Sequence, residues 1–379
     1  MKFEISTKAL QKWLSVVSHA TASVSTTPIL ENILIKVNFK NIVLTANNLE
    51  MAIEYTIDDD VKIISEGNFS IPSKLFGWYV NLIDDDTLQV ELTSNWDALE
   101  LKTASGKTKI KWIAAEDFPL IPNIKEEMSF ELDGEIVKRS IEKTIFSSAE
   151  GNIRPTLAWV LVRVQGSDAI FASTDSFRLS EYKSILSQAR DKKVEFEQII
   201  PSKTCYELRS LIQDNESVKI ICWENQIVFS FWNVHIFSRL LNGNFPDYTN
   251  FFPSSYKTKW VINRIDLITA LKKINLISRE NNYSIKMSFS SENGILLETS
   301  ETQLWEEEER LAGSVEWEDA IIGINSIYFL EALGVIETTH ISLQFESSLA
   351  PVLILPVTDE GKNKAQTGQF RHIIMPLKI

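Results

Sequence analysis

One phrase occurs three times in this chain. Gln198 to Trp223 reads QIIPSKTCYELRSLIQDNESVKIICW: an apolar pair meets a proline, a short helix follows, and an alternating strand opens at Ser217. Phe69 to Leu92 repeats it as FSIPSKLFGWYVNLIDDDTLQVEL, and Ile321 to Phe345 gives a blurred copy with Asn325 in the proline's place. A long-period repeat limits the possible folds more than any composition does, because each copy must be the same structural unit. Other anchors keep the period. Phe3, Phe130 and Trp260 are 127 and 130 residues apart, Pro72, Pro201 and Asn325 are 129 and 124 apart, and Phe118 and Phe245 are 127 apart. The repeats predict an α+β chain of three like domains, over 1–125, 126–253 and 254–379, each with two helices on an antiparallel sheet surface.

Each copy opens in the same way. A strand at Lys2-Phe3-Glu4-Ile5 leads into a helix from Ser6 or Thr7, where Leu10, Trp13, Leu14 and Val17 fall on one face at i, i+3, i+4 and i+7. The second copy restarts at Phe130, with Asp133 placed to cap a helix whose core side holds Val137, Ile141 and Ile145. The third restarts at Trp260. Asn263, with Asp266 three residues on, resembles a capping box before the stripe Leu267, Leu271 and Ile274.

The remaining bulk features mostly exclude. With 379 residues, 44% hydrophobic and 23% charged, the chain suits two or three ordinary globular domains. No apolar run approaches the roughly 18–20 residues of a membrane span, and Met1-Lys2-Phe3-Glu4 does not open a signal peptide, so a cytoplasmic protein without a membrane partner is expected. Cys205 and Cys222 sit in no metal-binding spacing, and His19, His235, His340 and His372 are scattered, so neither metal nor cofactor is expected. No phosphate loop, HExxH or GxSxG is present. The enzyme reading left open is a carboxylate-dependent hydrolase acting on nucleic acid, built from runs such as Asp58-Asp59-Asp60 and Asp84-Asp85-Asp86, which also suit solvated turns. An adhesive repeat protein would need a secretory signal and no basic helices.

The net charge of −13 argues against nucleic acid only if the two signs are mixed. They are segregated. Five of the six candidate helices carry bases off the apolar stripe: Lys8 and Lys12; Lys74; Lys138, Arg139 and Lys143; Lys203 and Arg209; Lys272 and Lys273. The sixth, around Ile327 to Leu333, carries Glu331 and no base, while acid gathers in turns and at Glu306 to Glu309. If the helices share a surface, an acidic protein has a basic lane, suited to phosphates and blind to base sequence.

Short signatures in fixed order then suggest a family. They are Pro28-Ile29-Leu30, Leu49-Glu50-Met51, Asp117-Phe118-Pro119, Arg154-Pro155 with Leu157, Thr174-Asp175 with Arg178-Leu179, Gly243 with Phe245-Pro246-Asp247-Tyr248, and Ile374-Met375-Pro376. Over its whole length the chain resembles the bacterial DNA polymerase III beta subunits, the sliding clamps. The resemblance implies a non-catalytic processivity factor: a head-to-tail homodimer around double-stranded DNA, with helices lining the hole and Arg154 added to the DNA-facing bases. It also implies short peptide motifs through which the replicative DNA polymerase and the clamp loader bind. Their pocket would use Leu157, Thr174, Ser176, Phe177, Arg178, Leu179, Pro246, Ile373, Ile374, Met375, Pro376 and Leu377. The chain departs from the family pattern at Ser176-Phe177, where Gly-His or Gly-Tyr is usual, and at Trp159, where glycine is usual. It departs again at Thr249-Asn250, where an arginine is usual, and at Val24-Ser25, which lacks the arginine of some relatives.

Ring closure of that kind needs two different, complementary patches. Lys102, Lys107, Lys109 and Lys111 crowd late strands of the first copy, and Glu298, Glu301 and Glu306, Glu307, Glu308 and Glu309 crowd the corresponding part of the third. Ile110, Leu276 and Ile277 are the expected apolar centre. The first copy of one subunit is expected to pair edge to edge with the third copy of the other.

Overall fold

The computed structural model describes residues 1–22, 24–93, 98–112, 114–121, 126–149, 157–186, 194–240, 243–299, 308–312, 314–317, 319–358 and 368–378. The described residues form two compact units, Met1–Glu135 with Glu207–Leu241, and Ile136–Tyr206 with Asn242–Ile379. The middle repeat contributes residues to both units.

The first unit contains two antiparallel sheets. One has five strands in the order Val61–Ser65, Lys2–Ser6, Thr87–Leu92, Leu99–Lys102, Lys107–Ile110. The other has eight, running Met128–Asp133, Ser217–Trp223, Gln226–Phe231, Val234–Arg239, Met51–Ile57, Ile42–Asn47, Asn32–Val37, Gly67–Pro72. Helix α1 (Thr7–Ser18) begins at Ser6, whose hydroxyl accepts from the Ala9 N–H, and it buries Leu10, Trp13, Leu14 and Val17 as the periodicity predicts. Helix α2 (Ser73–Asn81) starts after Pro72, buries Phe76 and Val80, and packs on α1.

The second unit repeats the plan. Its nine-stranded sheet runs Glu195–Pro201, Trp159–Gln165, Asp168–Thr174, Arg178–Ile185, Gly368–Ile374, Val352–Val357, His340–Phe345, Thr258–Asn263, Ser314–Trp317. A four-stranded sheet runs Glu308–Leu311, Gly294–Thr299, Ser284–Ser290, Ala320–Asn325. Helices α3 (Gly134–Thr144) and α4 (Ser202–Leu211) belong to the middle repeat, and α5 (Arg264–Ser278) and α6 (Ser326–Val335) to the third. Asn263 caps α5, accepting from Ile265 N at 2.9 Å and Asp266 N at 3.3 Å. Asn325 caps α6 in the same way. Its ψ of 117° equals that of Pro72, so the blurred third phrase keeps the strand-to-helix bend and exchanges a fixed proline φ for a side-chain cap. Around Trp260, Phe289, Phe329 and Phe345 lies one continuous apolar core.

In each unit the large sheet joins two repeats. Strand Met51–Ile57 pairs with Val234–Arg239, and Arg178–Ile185 pairs with Gly368–Ile374. These joints position the candidate sites.

Candidate functional site

The turn between strands Asp168–Thr174 and Arg178–Ile185 is fixed by two short side chains. Asp175 Oδ1 accepts from Phe177 N at 2.9 Å and Arg178 N at 3.0 Å. The Thr174 hydroxyl donates to the Arg178 carbonyl at 2.7 Å and accepts from Ser176 N at 3.1 Å. Closing the turn forces Ser176 to a φ of +80°, a left-handed conformation that L side chains disfavour and glycine does not. That is the position where the resemblance leads glycine to be expected.

The turn sends its next two side chains in opposite directions. Phe177 points to solvent, half exposed, while Arg178 is buried. The guanidinium lies 2.9 Å from Asp175 Oδ2, pairs with Glu331 of α6, and stacks 4.3 Å from the Tyr328 ring and 5.6 Å from Phe146. Glu331, the lone acid on the only candidate helix without a base, is therefore a partner of Arg178. Phe146 and Tyr328 gave no signal in the sequence beyond ordinary core aromatics.

The C-terminal tail closes the other side. Arg178 pairs with Ile374, Met375 N donates to the Phe177 carbonyl at 2.8 Å, and Leu377 N donates to the Gly323 carbonyl at 2.8 Å. Met375 is 40% exposed, leaving an apolar side chain at the surface beside the turn. Leu179 and Ile373 lie one layer down, buried with Trp159, Tyr248 and Phe252. Trp159 packs against Gly243, where an added Cβ would stand 3.1 Å from the indole, so the tryptophan fills space that a glycine would leave open. Tyr248 donates to Glu181 at 2.8 Å and Arg371 pairs with the same carboxylate; burial and the Glu181 charge push the phenol well above its ordinary range. The structure thus brings together Thr174, Ser176, Phe177, Arg178, Ile374 and Met375. Leu157 is buried, Pro246 is exposed, and Pro376 is half-buried between Met375 and the Leu377 bridge. Among the described residues no hydrogen bond ties Leu157 or Pro246 to this ladder.

The basic helices divide into two kinds. Lys8 and Lys12 on α1, Lys74 on α2, Lys203 and Arg209 on α4, and Lys272 and Lys273 on α5 are exposed, while Lys138 and Arg139 on α3 are half-buried. Lys12 lies 5.1 Å from the Trp232 ring, and Lys273 pairs with Glu309 at 2.6 Å. Lys143 departs from the expected solvated base. It is buried, and its ammonium donates to Glu337 at 2.6 Å and to the Val335 carbonyl, so two of its three donors and its charge are already engaged inside the fold. The hydrogen bond from Lys143 holds the Glu337 carboxyl below the usual carboxylate range. Arg154 lies outside the described residues.

The two charged patches sit on outer strands. Lys107–Ile110 is the last strand of the five-stranded sheet and Glu308–Leu311 the last of the four-stranded sheet, so each has one unpaired edge among the described strands. Lys107, Lys109 and Lys111 are exposed, as is Glu308; Glu301, Glu306 and Glu307 lie outside the described residues. Ile110 is not the exposed apolar group expected of it, since only 6% of it is accessible within its own unit. Leu276 is 81% exposed and Ile277 half-buried. Helix α2 supplies what the sequence reading missed: Leu75, Trp78 and Leu82 all face solvent, and Tyr79 donates to Thr108 of the outer strand at 2.7 Å.

Comparison with known proteins follows this architecture. Residues 1–122, 131–247 and 249–376 match, in order, the N-terminal, central and C-terminal domains of the DNA polymerase III beta subunit. The chain belongs to that family. It is similar to the beta sliding clamp of Bacillus subtilis, 28% identical over 369 residues covering 95% of this chain and 97% of that one. Among solved structures, the DNA polymerase sliding clamp of Bacillus subtilis is 26% identical with a TM-score of 0.92, covering 100% of this chain and 99% of that one. A putative DNA polymerase III beta subunit from Eubacterium rectale is 27% identical with a TM-score of 0.90, covering both chains fully. The sliding-clamp family is non-catalytic, and this chain functions as a sliding clamp in DNA replication. The hydrolase reading falls with that assignment. No helix among the described residues is long and apolar enough to cross a membrane.

Proposed function

We propose that two copies of this chain close head to tail around duplex DNA in the cytoplasm, and that the Ser176 groove takes short peptide motifs from the replicative polymerase and the clamp loader. In this reading the three repeats are three domains, near 1–125, 126–253 and 254–379. One observation carries the ring. The two oppositely charged strands, Lys107–Ile110 and Glu308–Leu311, are both outermost in their sheets. A lysine-rich edge repels its own copy and accepts an acidic one, which selects a heterologous contact over a two-fold one. Leu276 and Ile277 of one subunit would meet Trp78 and Leu82 of the other beside that edge, with Lys107, Lys109 and Lys111 facing Glu306, Glu307 and Glu308. Lys8, Lys12, Lys74, Lys138, Arg139, Arg154, Lys203, Arg209, Lys272 and Lys273 would face phosphates, each contact weak and screened, and Lys143 would only brace α3.

The groove reading rests on chemistry that peptide sites share: exposed apolar side chains, Phe177 and Met375, beside a tightly hydrogen-bonded turn at a strand end. The ring is tested by Lys107→Glu, Lys109→Glu and Lys111→Glu together. Sedimentation should show monomers at low micromolar concentration, and retention on closed circular DNA should disappear. A dimer that survives the triple reversal would sink the edge assignment.

A further inference from the structure

The turn at Thr174–Leu179 has a twin in the first unit. Asn47 to Ala52 precedes it by 127 residues throughout, and Pro119 precedes Pro246 by the same number. The backbone is repeated in detail. Leu49 has a φ of +73° against +80° at Ser176. Asn48 Oδ1 accepts from Glu50 N at 3.1 Å and Met51 N at 2.9 Å, as Asp175 does from Phe177 and Arg178. Leu49 N is held by Asn47 Oδ1 at 2.8 Å, where Thr174 holds Ser176. Arg239 N donates to the Glu50 carbonyl at 3.1 Å, as Met375 N does to that of Phe177. Met51 pairs with Ser238, as Arg178 pairs with Ile374.

The twin turn borders a groove of about 180 Å³. Leu49 and Leu120, 54% and 83% exposed, stand at its rim, with Met51 and Phe237 beneath them. Gln226 lines it and its Oε1 has no hydrogen-bond partner among the described residues. Arg239 lines it too, exposed, and its guanidinium makes no ion pair with any described residue. The volume is below the roughly 300–1,000 Å³ typical of small-molecule sites and suits one or two side chains of an extended segment. Two solvent-facing leucines ask for an apolar anchor, the orphan acceptor for an N–H donor, and the unpaired guanidinium for a carboxylate.

We propose that this groove is a second peptide site on the clamp, selective for an extended segment with an apolar anchor and an adjacent carboxylate. It rests on reading the Ser176 groove as a peptide site, and differs from it in charge. Where the second unit places Met375 beside the turn, the first places Arg239.

The test uses the full-length chain and an N-acetylated octapeptide of two leucines, one phenylalanine, two aspartates and three serines, titrated calorimetrically. Two sites per chain are expected. Leu120→Asp with Arg239→Glu, both at exposed positions, should weaken one at least tenfold; Met375→Ala with Leu377→Ala should weaken the other as much. Loss of a single site in the Met375 and Leu377 variant, with Leu120→Asp and Arg239→Glu silent, overturns the inference, as does no binding at all. A single site lost only with Leu120→Asp and Arg239→Glu upholds it, and overturns the Ser176 groove instead.

Discussion

In the first unit the joint between repeats carries Glu54 opposite His235 and is otherwise lined with apolar or uncharged pairs, whereas in the second Arg178 and His372 add ionisable groups at matching positions. Met51 opposite Ser238 becomes Arg178 opposite Ile374, and Ile53 opposite Ile236 becomes Ser180 opposite His372. Glu54 opposite His235 becomes Glu181 opposite Arg371, which form a salt bridge. The hydrogen-bonded turn beside each joint is common to both. A backbone frame of this kind therefore does not depend on the side chains that surround it. The short residues at Asn47-Asn48 and Thr174-Asp175 set the frame, and the flanking positions are available for specialisation.

The sharpest way to break the comparison is Arg178→Met, which gives the second unit the first unit's side chain. Arg178 is 8% exposed between Asp175, 12% exposed, and Glu331. Removing it strands the Asp175 carboxylate where water reaches it poorly, and a broken buried pair costs about 3 kcal/mol. The chemical denaturation midpoint of the second unit should fall accordingly, with the first unit unmoved. A change under about 1 kcal/mol would show that the guanidinium is as dispensable as Met51's thioether suggests.

Part of this was legible from residues alone. The stripe Leu10, Trp13, Leu14 and Val17 is buried and Asn263 caps its helix, because these are local or periodic signals. The joints themselves were not legible. Whether Val234–Arg239 pairs within its own repeat or with Met51–Ile57 is decided by backbone edges, which have no side-chain signature, and the partners are far apart in sequence. Lys143 was misread for the same reason. Its partner Glu337 lies 194 residues away, so helical spacing showed a base off the apolar face and could not show what covered it. Trp159 read as a departure from a family glycine, and only packing reveals that Gly243 gives the indole its room.

Acid should separate the two joints next. His372 is fully buried, its Nδ1 2.8 Å from the Ser180 hydroxyl, and burial, helped by the Arg178 charge, holds its pKa down to about 3. A depressed histidine stabilises the fold above its unfolded pKa, near 6.5, and that contribution is lost as pH falls toward the folded value. Between pH 6.5 and 4.5 the second unit should lose about 2–3 kcal/mol from this group. The matching Ile53 and Ile236 cannot titrate. His19 in the first unit runs the other way, raised by its hydrogen bond to Glu207, so its small, partly exposed contribution is present in acid and lost on raising the pH. Hydrogen exchange, corrected for intrinsic rate, should show Arg178–Ile185 and Gly368–Ile374 losing protection on acidification before Met51–Ile57 and Val234–Arg239. His372→Gln should abolish the difference, and equal loss in both strand pairs would refute it.

The smallest expected effect tests whether the shared frame is strained in both copies. Ser176 at +80° and Leu49 at +73° each hold a Cβ in a region that disfavours L residues by about 1–2 kcal/mol. Glycine removes that strain and returns part of the gain as unfolded-chain entropy, so Ser176→Gly should raise stability by about 1 kcal/mol or less. Leu49→Gly has the same backbone gain, and Leu49 is 54% exposed, so little burial is lost with its side chain. Both substitutions should therefore move the denaturation midpoint upward. If Leu49→Gly moves it downward while Ser176→Gly does not, the leucine is packed on its groove for most of the time in the free protein. The first unit's site would then be self-occluded, and a peptide would have to displace Leu49 before it could bind.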